Sequence, residues 1–334
     1  MKPIFLKIVA AMIGSLLVAS VAFFFWASGA GRPQEQYAEI IDGKGESPPV
    51  SKDTFTVISY NIGYLSGLTN NQAVERTQLL FDQNQKTAIA ALSDLQADFI
   101  GFQEIDIAAK RSFQVNQVEA LTKALGFGSA AIAINWDKNY LPFPYWPPSV
   151  HFGRIVSGQA VLSRYPIQFN QRIVLEKVKD HPFFYSAFYL DRIAQVTQID
   201  LNGKTLVLIN CHLESFDSPT RTQQTQTVLK LAETYATDYP VLLIGDFNSD
   251  LNREEEGADR SINLILQSER LRSAIPRAQL EAGAMATFPS DAPQYRLDYI
   301  FYSFDTIEPI DWRVVDEAAQ ASDHLPVMMR FRVK

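Results

Sequence analysis

The sequence predicts an α/β fold with mixed sheets, and three observations carry that expectation. Strand-like runs such as TFTVISYN (54–61) and DFIGFQE (98–104) alternate with stretches of helical spacing at 84–96 and 114–125. Such alternation builds βα units, whose strands run parallel. Two further strand-like runs, IAQVTQID and TLVLINCH, flank LNGK within 193–212. Asn202-Gly203 at that turn is a hairpin signal, so antiparallel pairs share the sheets with parallel ones. Third, VLLIG (241–245) is apolar at successive positions, as expected of a strand covered on both faces.

The elements follow in chain order. Lys2 and Lys7 precede 24 uncharged residues, 8–31. As a helix these would span roughly 35 Å, enough for a bilayer core of about 30 Å. The stretch closes on Phe23-Phe24-Phe25-Trp26 and has no polar face, which argues against a buried core helix. The early lysines place the N-terminus in the cytoplasm and the rest of the chain outside. Ala27-Ser28-Gly29 and Ser28-Gly29-Ala30 are small enough for signal peptidase. Segment 1–31 is therefore read as a transmembrane signal-anchor or a cleaved signal peptide, leaving a membrane-anchored or a secreted catalytic domain. Residues 32–52, polar with Pro, Gly and Glu, read as a linker.

Beyond the linker, 54–61 is a strand. Ile89, Leu92 and Leu95 give 84–96 a helical face, and 98–104 is the next strand. Val115, Val118, Leu121 and Leu125 do the same for a helix over 114–125. The run 158–167 is a strand stopped by Pro166. After the 193–212 hairpin come a helix at 220–237, a strand at 241–246 and a helix at 259–268. Strands at 294–303, 310–316 and 325–333 close the chain. Residues 135–154, NWDKNYLPFPYWPPSVHFGR, are rich in aromatics and prolines and follow no period. Such a segment either packs over a sheet edge, lines a substrate groove or touches a membrane interface.

Composition narrows the function. Net charge is −7 and pI about 5.2, which argues against a broad basic surface that coats nucleic acid but leaves room for a local basic pocket. The single cysteine, Cys211, rules out an internal disulfide framework and a cysteine-cluster zinc site. It lies in an apolar run and reads as a small buried hydrophobe.

The chemistry sits at strand ends. VISYN ends at Asn61, FIGFQE at Glu104, LVLINCH at His212, and VLLIGDFN at Asp246 and Asn248. In extended chain Asp246 and Asn248 point the same way. Ligands of α/β sheets bind at the carboxyl ends of strands, so these ends define a carboxylate-rich cup if they share one rim. Asp298 in RLDYIF and the pair Asp323-His324 before the last strand add to it. Buried carboxylates in such number demand a cation or protons. Oxygen-rich ligands with few histidines and no cysteine favour Mg²⁺ or Mn²⁺ over zinc. Each residue alone has an ordinary reading: a helix cap for Asp246, a turn cap for Asn61, a solvated end for Glu104, a core imidazole for His212, an Arg296 partner for Asp298, a loop for Asp323 and His324. The ordered set carries the inference.

Taken together, SYNIG, FQE, NCHLES, GDFNSD, RLDYIF and SDHLPV resemble the endonuclease/exonuclease/phosphatase superfamily over residues 54–333. This superfamily includes pancreatic-type deoxyribonucleases, apurinic-site endonucleases, inositol-polyphosphate phosphatases and neutral sphingomyelinases. The resemblance implies a four-layer α/β sandwich, two mixed sheets face to face with helices outside, and one catalytic domain over 53–334. It implies that Glu104 is the main Mg²⁺ ligand with Asn61 beside it, and that Asp323 is an outer or second-site ligand. Asp246 would orient or deprotonate the attacking water, Asn248 would hold that site and the phosphate, and His324, oriented by Asp298, would contact the phosphate. His212 would be a phosphate contact and candidate leaving-group acid. Gly63 departs from the apurinic-site branch, which has an aspartate there, and Glu214 is either support for the site or a solvated end.

The expected activity is Mg²⁺-dependent phosphoesterase, with a lipid headgroup or small diester favoured over nucleic acid. SGQAVLSRYPI resembles the corresponding strand of sphingomyelinase-type members, which supports that preference. An exported nuclease is the alternative, and a non-catalytic tethered binding module is the alternative from another class. Lys110 and Arg111 meet a second phosphate or are solvated; His151 and Arg154 line the mouth or are structural; His181 is structural. The expected partners are a phosphate-ester substrate and the membrane, with nucleic acid as substrate only, and the expected state is a monomer.

Overall fold

The chain's β-strands are set by period-two burial. In a computed structural model describing residues 2–43, 45, 52–253, 261–283 and 285–334, Val57 faces one apolar cluster and its neighbour Ile58 another. The same alternation runs through Leu242 and Ile244 against Val241 and Leu243, which is why VLLIG is apolar throughout.

The helices are α1 (Lys2–Ser28), α2 (Gln78–Asp94), α3 (Gln117–Leu125), α4 (Phe183–Ser186), α5 (Ser218–Tyr235), α6 (Ile262–Leu266) and α7 (Arg277–Glu281). The first strands are β1 (Ala38–Asp42), β2 (Thr54–Asn61), β3 (Phe99–Asp106), β4 (Ser129–Leu141), β5 (Gly153–Ser163) and β6 (Ile167–Val174). They are followed by β7 (Ile193–Asp200), β8 (Thr205–His212), β9 (Val241–Asp246), β10 (Leu271–Ser273), β11 (Asp298–Ser303), β12 (Ile307–Val314) and β13 (Val327–Val333).

Two mixed sheets result, one ordered β1-β4-β5-β3-β2-β13-β12 and the other β10-β11-β9-β8-β7-β6. Phe55, Val57, Phe99 and Val161 of the first meet Leu206, Leu208, Leu242, Ile244 and Ile300 of the second. Outside the first sheet, Phe81, Ala88 and Leu92 of α2 and Val118 and Leu121 of α3 cover Ile58, Ile100 and Phe102. Outside the second, Val228 and Ala232 of α5 and Ile262 and Ile265 of α6 cover Val207, Ile209 and Leu243. The four expected layers are present. Complete burial of each such Leu or Ile contributes about 1.5–3 kcal/mol.

Two parallel pairings orient the site. β2 lies parallel to β3, and β8 lies parallel to β9. Each crossover runs through a helix, α2 or α5, so both strand pairs end at the same rim. Local caps set those helices. Thr77 accepts from Leu80 N before α2, Asn116 from Glu119 N before α3, and Asp217 from Thr220 N before α5.

Several boundaries differ from the sequence expectation. The supposed linker contains β1, an edge strand paired antiparallel to β4 from Ala38↔Ala133 to Asp42↔Ser129. Tyr37 and Ile41 pack against the first sheet's outer core, a burial that the polar composition of 32–52 concealed; residues 44 and 46–51 lie outside the described residues. Residues 135–141 of the supposedly aperiodic segment belong to β4, whose register with β5 shifts twice. Such bulges break the two-residue period. The run 158–167 divides into the end of β5 and the start of β6. Helix α2 begins earlier than 84, and of 259–268 the described helical part is α6.

Candidate active site

The rim brings the expected residues together. Register places His212 opposite Asp246, and Asp246 opposite Asp298 on antiparallel β11. Asn61 ends β2 beside Gln103. A bulge between Phe102 and Ile105 interrupts the pairing of β3 with β5, and Glu104 there has φ +51°. That local kink re-aims the carboxylate into the cup. Gly245 has φ +145°, and a Cβ at that position would collide with the carbonyl of Cys211. Glycine is what lets β9 approach β8 just before Asp246.

The contacts are continuous across the cup. Asn61 Nδ2 donates to Asp246 Oδ2 at 2.9 Å and to Glu104 Oε1 at 3.4 Å. Asn70 Nδ2 donates to Glu104 Oε2 at 2.9 Å and lies 3.3 Å from each oxygen of Asp323. His212 Nε2 is 3.5 Å from Asp246 Oδ2 and 3.8 Å from Glu104 Oε1. Asn248 N donates to Asp246 Oδ1 at 2.9 Å, and its Nδ2 donates to Leu213 O at 3.0 Å. His324 Nδ1 meets Asp298 Oδ2 at 2.8 Å, which turns Nε2 toward Asp246, 3.8 Å away.

Electrostatics separates the two imidazoles. Burial works against charge on His324, yet Asp298 and Asp246 outweigh it and lift its pKa well above the ordinary value. Burial, Arg192 and His324 hold His212 well below its ordinary value, so it stays neutral. Burial pushes Asp246 up to about 7 against the pull of His324. Burial and the neighbouring Asp323 raise Glu104.

The cup is short of positive charge. Glu104, Asp246, Asp298 and Asp323 face two imidazoles, one of them neutral, and an Arg192 guanidinium already claimed by Glu214. Asp298 Oδ1 is buried without a hydrogen-bond partner among the described residues. These carboxylate oxygens and the Asn61 carboxamide suit a hard divalent cation. Asp246, Asp298 and His324 place one potential ligand atom each within 4.8 Å of one another. The short His324–Asp298 hydrogen bond makes that trio an oriented imidazole rather than a ligand set.

The sequence pattern of the Endonuclease/Exonuclease/phosphatase family matches residues 58–324. The chain belongs to this family. Among solved structures, the endonuclease/exonuclease/phosphatase from Beutenbergia cavernae is similar with a TM-score of 0.59 at 17% identity, over 84% of this chain and 72% of that one. The human Nocturnin catalytic domain with bound sulfate gives 0.57 at 18%, over 91% and 100%. D. rerio TDP2 complexed with a single-strand DNA product gives 0.57 at 18%, over 84% and 100%. UPF0294 proteins from two strains of Vibrio cholerae serotype O1 are 29% identical over 133 residues. That stretch is 40% of this chain and 42% of each relative, so the chain matches less than half the length of these curated relatives.

The family fold does not bring every expected residue into the cup. Arg111 is buried in a two-pronged pair with Asp106, Nε–Oδ2 3.0 Å and Nη2–Oδ1 2.8 Å, and stacks 3.3 Å over the Tyr64 ring. Its Nη2 also donates to Ser157 Oγ at 3.1 Å, so this guanidinium is held within the wall beside Asp106. Arg154 pairs with Asp137 and the carbonyls of Lys138 and Ile155. His151 bridges the Tyr140 hydroxyl and the Tyr145 carbonyl. Both serve the aromatic segment. Glu214 is buried and accepts from Tyr189 and Arg192, which settles it as support rather than a solvated end. At Gly63 an added Cβ would lie 2.7 Å from Ser322 Oγ and 2.8 Å from Asp323 Oδ1. With φ +53° at that position, any side chain there would be strained and would push on Ser322 and Asp323.

Two site residues escaped the sequence reading. Asn70 lies in a polar loop with nothing to mark it. Arg192 left a usable signal, since Ile193 pairs with His212 and its predecessor must therefore flank the cup. Arg192 is buried, with Nε 3.4 Å from Glu214 and Nη2 2.8 Å from Ser215 Oγ. Its Nη1 meets the hydrogen-bond criteria with no group among the described residues. Arg192, Glu104, Tyr64, Trp136, Tyr189 and Phe216 help line an aromatic pocket of about 250 Å³ beside the cup.

Proposed function

We propose that this enzyme is a Mg²⁺- or Mn²⁺-dependent phosphodiesterase acting outside the cytoplasmic membrane on a lipid headgroup or small diester. The observation that supports this is the aromatic pocket opening directly beside Glu104. Such a concave site accommodates an organic substituent on a phosphate held in the cup. Glu104, Asn61 and Asp323 would hold the metal, which supplies Lewis-acid charge neutralisation when bound. Asp246 positions the attacking water and accepts its proton. Cationic His324, its tautomer held by Asp298, neutralises a non-bridging oxygen, and Asn248 fixes the loop against Asp246. Neutral His212 donates a hydrogen bond toward the leaving oxygen. Arg192, which lines the pocket with Glu104, adds positive charge beside the cup. Helix α1, whose Pro3–Ser28 part contains an 18-residue window of mean hydropathy 2.5, serves as the anchor.

The test incubates full-length protein with Mg²⁺ and a bis-aryl phosphodiester, phospholipid vesicles or supercoiled plasmid, beside Asp246→Asn and EDTA controls. Turnover of the diester and vesicles is expected, lowered about 10²–10⁴-fold by Asp246→Asn and abolished by EDTA. Plasmid nicking that vanishes in both controls, with vesicles untouched, would replace the lipid reading with an exported nuclease.

A further inference from the structure

Exposed aromatic side chains gather around the mouth of the aromatic pocket. Phe216 is 87% exposed, Phe183 77% and Trp146 76%, and Tyr145 and Phe184 are also exposed. Phe216 and Tyr145 line the pocket itself. Phe183 and Phe184 begin α4, and the residues just after them, Tyr185, Phe188 and Tyr189, line the pocket wall. Apolar surface concentrated in this way marks an interaction site.

The end of α1 is built into the same patch. Phe24 stacks edge-on against Phe183, centroids 6.0 Å apart, and against Phe188 at 5.5 Å. Phe23 meets Tyr140 at 5.8 Å. Three hydrogen bonds fasten the last carbonyls of the helix to β4. Asn139 Nδ2 donates to Trp26 O at 3.0 Å, Asn139 N to Gly29 O at 2.9 Å, and Lys138 Nζ to Ser28 O at 3.0 Å. The helix therefore meets the catalytic domain through a joint instead of a free tether.

We infer that the aromatic rim of the pocket rests in the lipid surface that α1 traverses, so that the pocket mouth opens onto headgroups of that leaflet. This rests on the reading of α1 as a membrane span. With α1 in place, Phe23 to Trp26 fall at the membrane–water boundary, where amphipathic aromatic rings settle. Phe183 touches Phe24 and so shares its depth. Phe188 links that depth to the pocket wall. The occupant is a bilayer surface, because the patch is continuous with a helix of bilayer-spanning length.

The test uses the full chain in phosphatidylcholine/phosphatidylglycerol nanodiscs. Cys211 is fully buried, so single cysteines introduced by Phe183→Cys, Phe216→Cys, Leu17→Cys and Asp305→Cys carry a bimane label. Asp305 is exposed at the opposite end of β11 from the cup. Doxyl-labelled phosphatidylcholine is the quencher. The expected result is strong quenching at position 17, clear quenching at 183 and 216, and none at 305. Quenching at 17 with 183 and 216 no more quenched than 305 overturns the inference and leaves the anchor standing. That outcome together with disulfide cross-linking of unlabelled Phe216→Cys protein under a mild oxidant would assign the patch to a second copy of the chain. No quenching at 17 removes the anchor reading itself, and this inference with it.

Discussion

Arg192 and Glu214 show how one buried pair organises the space next to the cup. Glu214 takes the Tyr189 hydroxyl at 2.9 Å and the Ser215 and Phe216 amides at 3.0 Å each. Burial disfavours the Arg192 charge, but Tyr189 and Glu214 more than restore it and raise its pKa. Removing one partner of such a pair strands the other in low dielectric. Arg192→Met should lower unfolding stability by about 3–5 kcal/mol. Adding Glu214→Leu should recover part of that, giving a coupling of roughly 1–3 kcal/mol in a double-mutant cycle. Additive losses in urea denaturation would show that the pair is not coupled.

Helix α1 is held at the element scale by Asp137 on β4. Asp137 accepts from Gly31 N at 3.1 Å and Arg32 N at 2.8 Å, and pairs with Arg154. Burial works to raise its pKa, but Arg154 and the two amides prevail and hold it below the usual carboxylate value. A depressed carboxylate contributes stability that is full above its unfolded pKa of about 3.9 and disappears as pH falls through the folded value. At neutral pH, Asp137→Asn should reduce hydrogen-exchange protection of the Gly31 and Arg32 amides about tenfold, in line with loss of charge-assisted bonds. Below the folded pKa, wild type and variant should exchange alike. Equal protection at neutral pH would mean that the ring contacts and the Asn139 and Lys138 hydrogen bonds hold the joint without Asp137.

At the scale of the whole molecule, the two sheets converge on an excess of negative charge. A cation that binds the folded cup and not the unfolded chain stabilises by RT ln(1 + [L]/Kd), about 2.7 kcal/mol at a hundredfold excess over Kd. Thermal unfolding should therefore shift upward with Mg²⁺ or Mn²⁺ in a concentration-dependent way. Glu104→Gln should remove most of that shift while raising the melting temperature of the metal-free protein, because it deletes a buried carboxylate beside Asp323. An unchanged Mg²⁺ response in Glu104→Gln would move the metal away from Glu104.

The catalytic cup was legible because its residues close apolar strands. Asn61, Glu104, His212 and Asp246 each follow a run whose period marks a strand, and strand ends in an α/β sheet share a rim. The motif order then named the family. Other features depended on partners distant in sequence. Edge strand β1 exists because β4, about ninety residues on, offers it a ladder. Arg111, His151 and Arg154 carry charge or imidazole near the right motifs, but Asp106, Tyr140 and Asp137 claim them first. Asn70 reaches the cup from a loop whose course no local pattern encodes. Residue types at the ends of strands were enough to name the family, since its motifs need only local order. The ion-pair partners of Arg111, Arg154 and Arg192 and the place of the aromatic pocket beside Glu104 came from folding, since pairing and burial depend on neighbours distant in sequence.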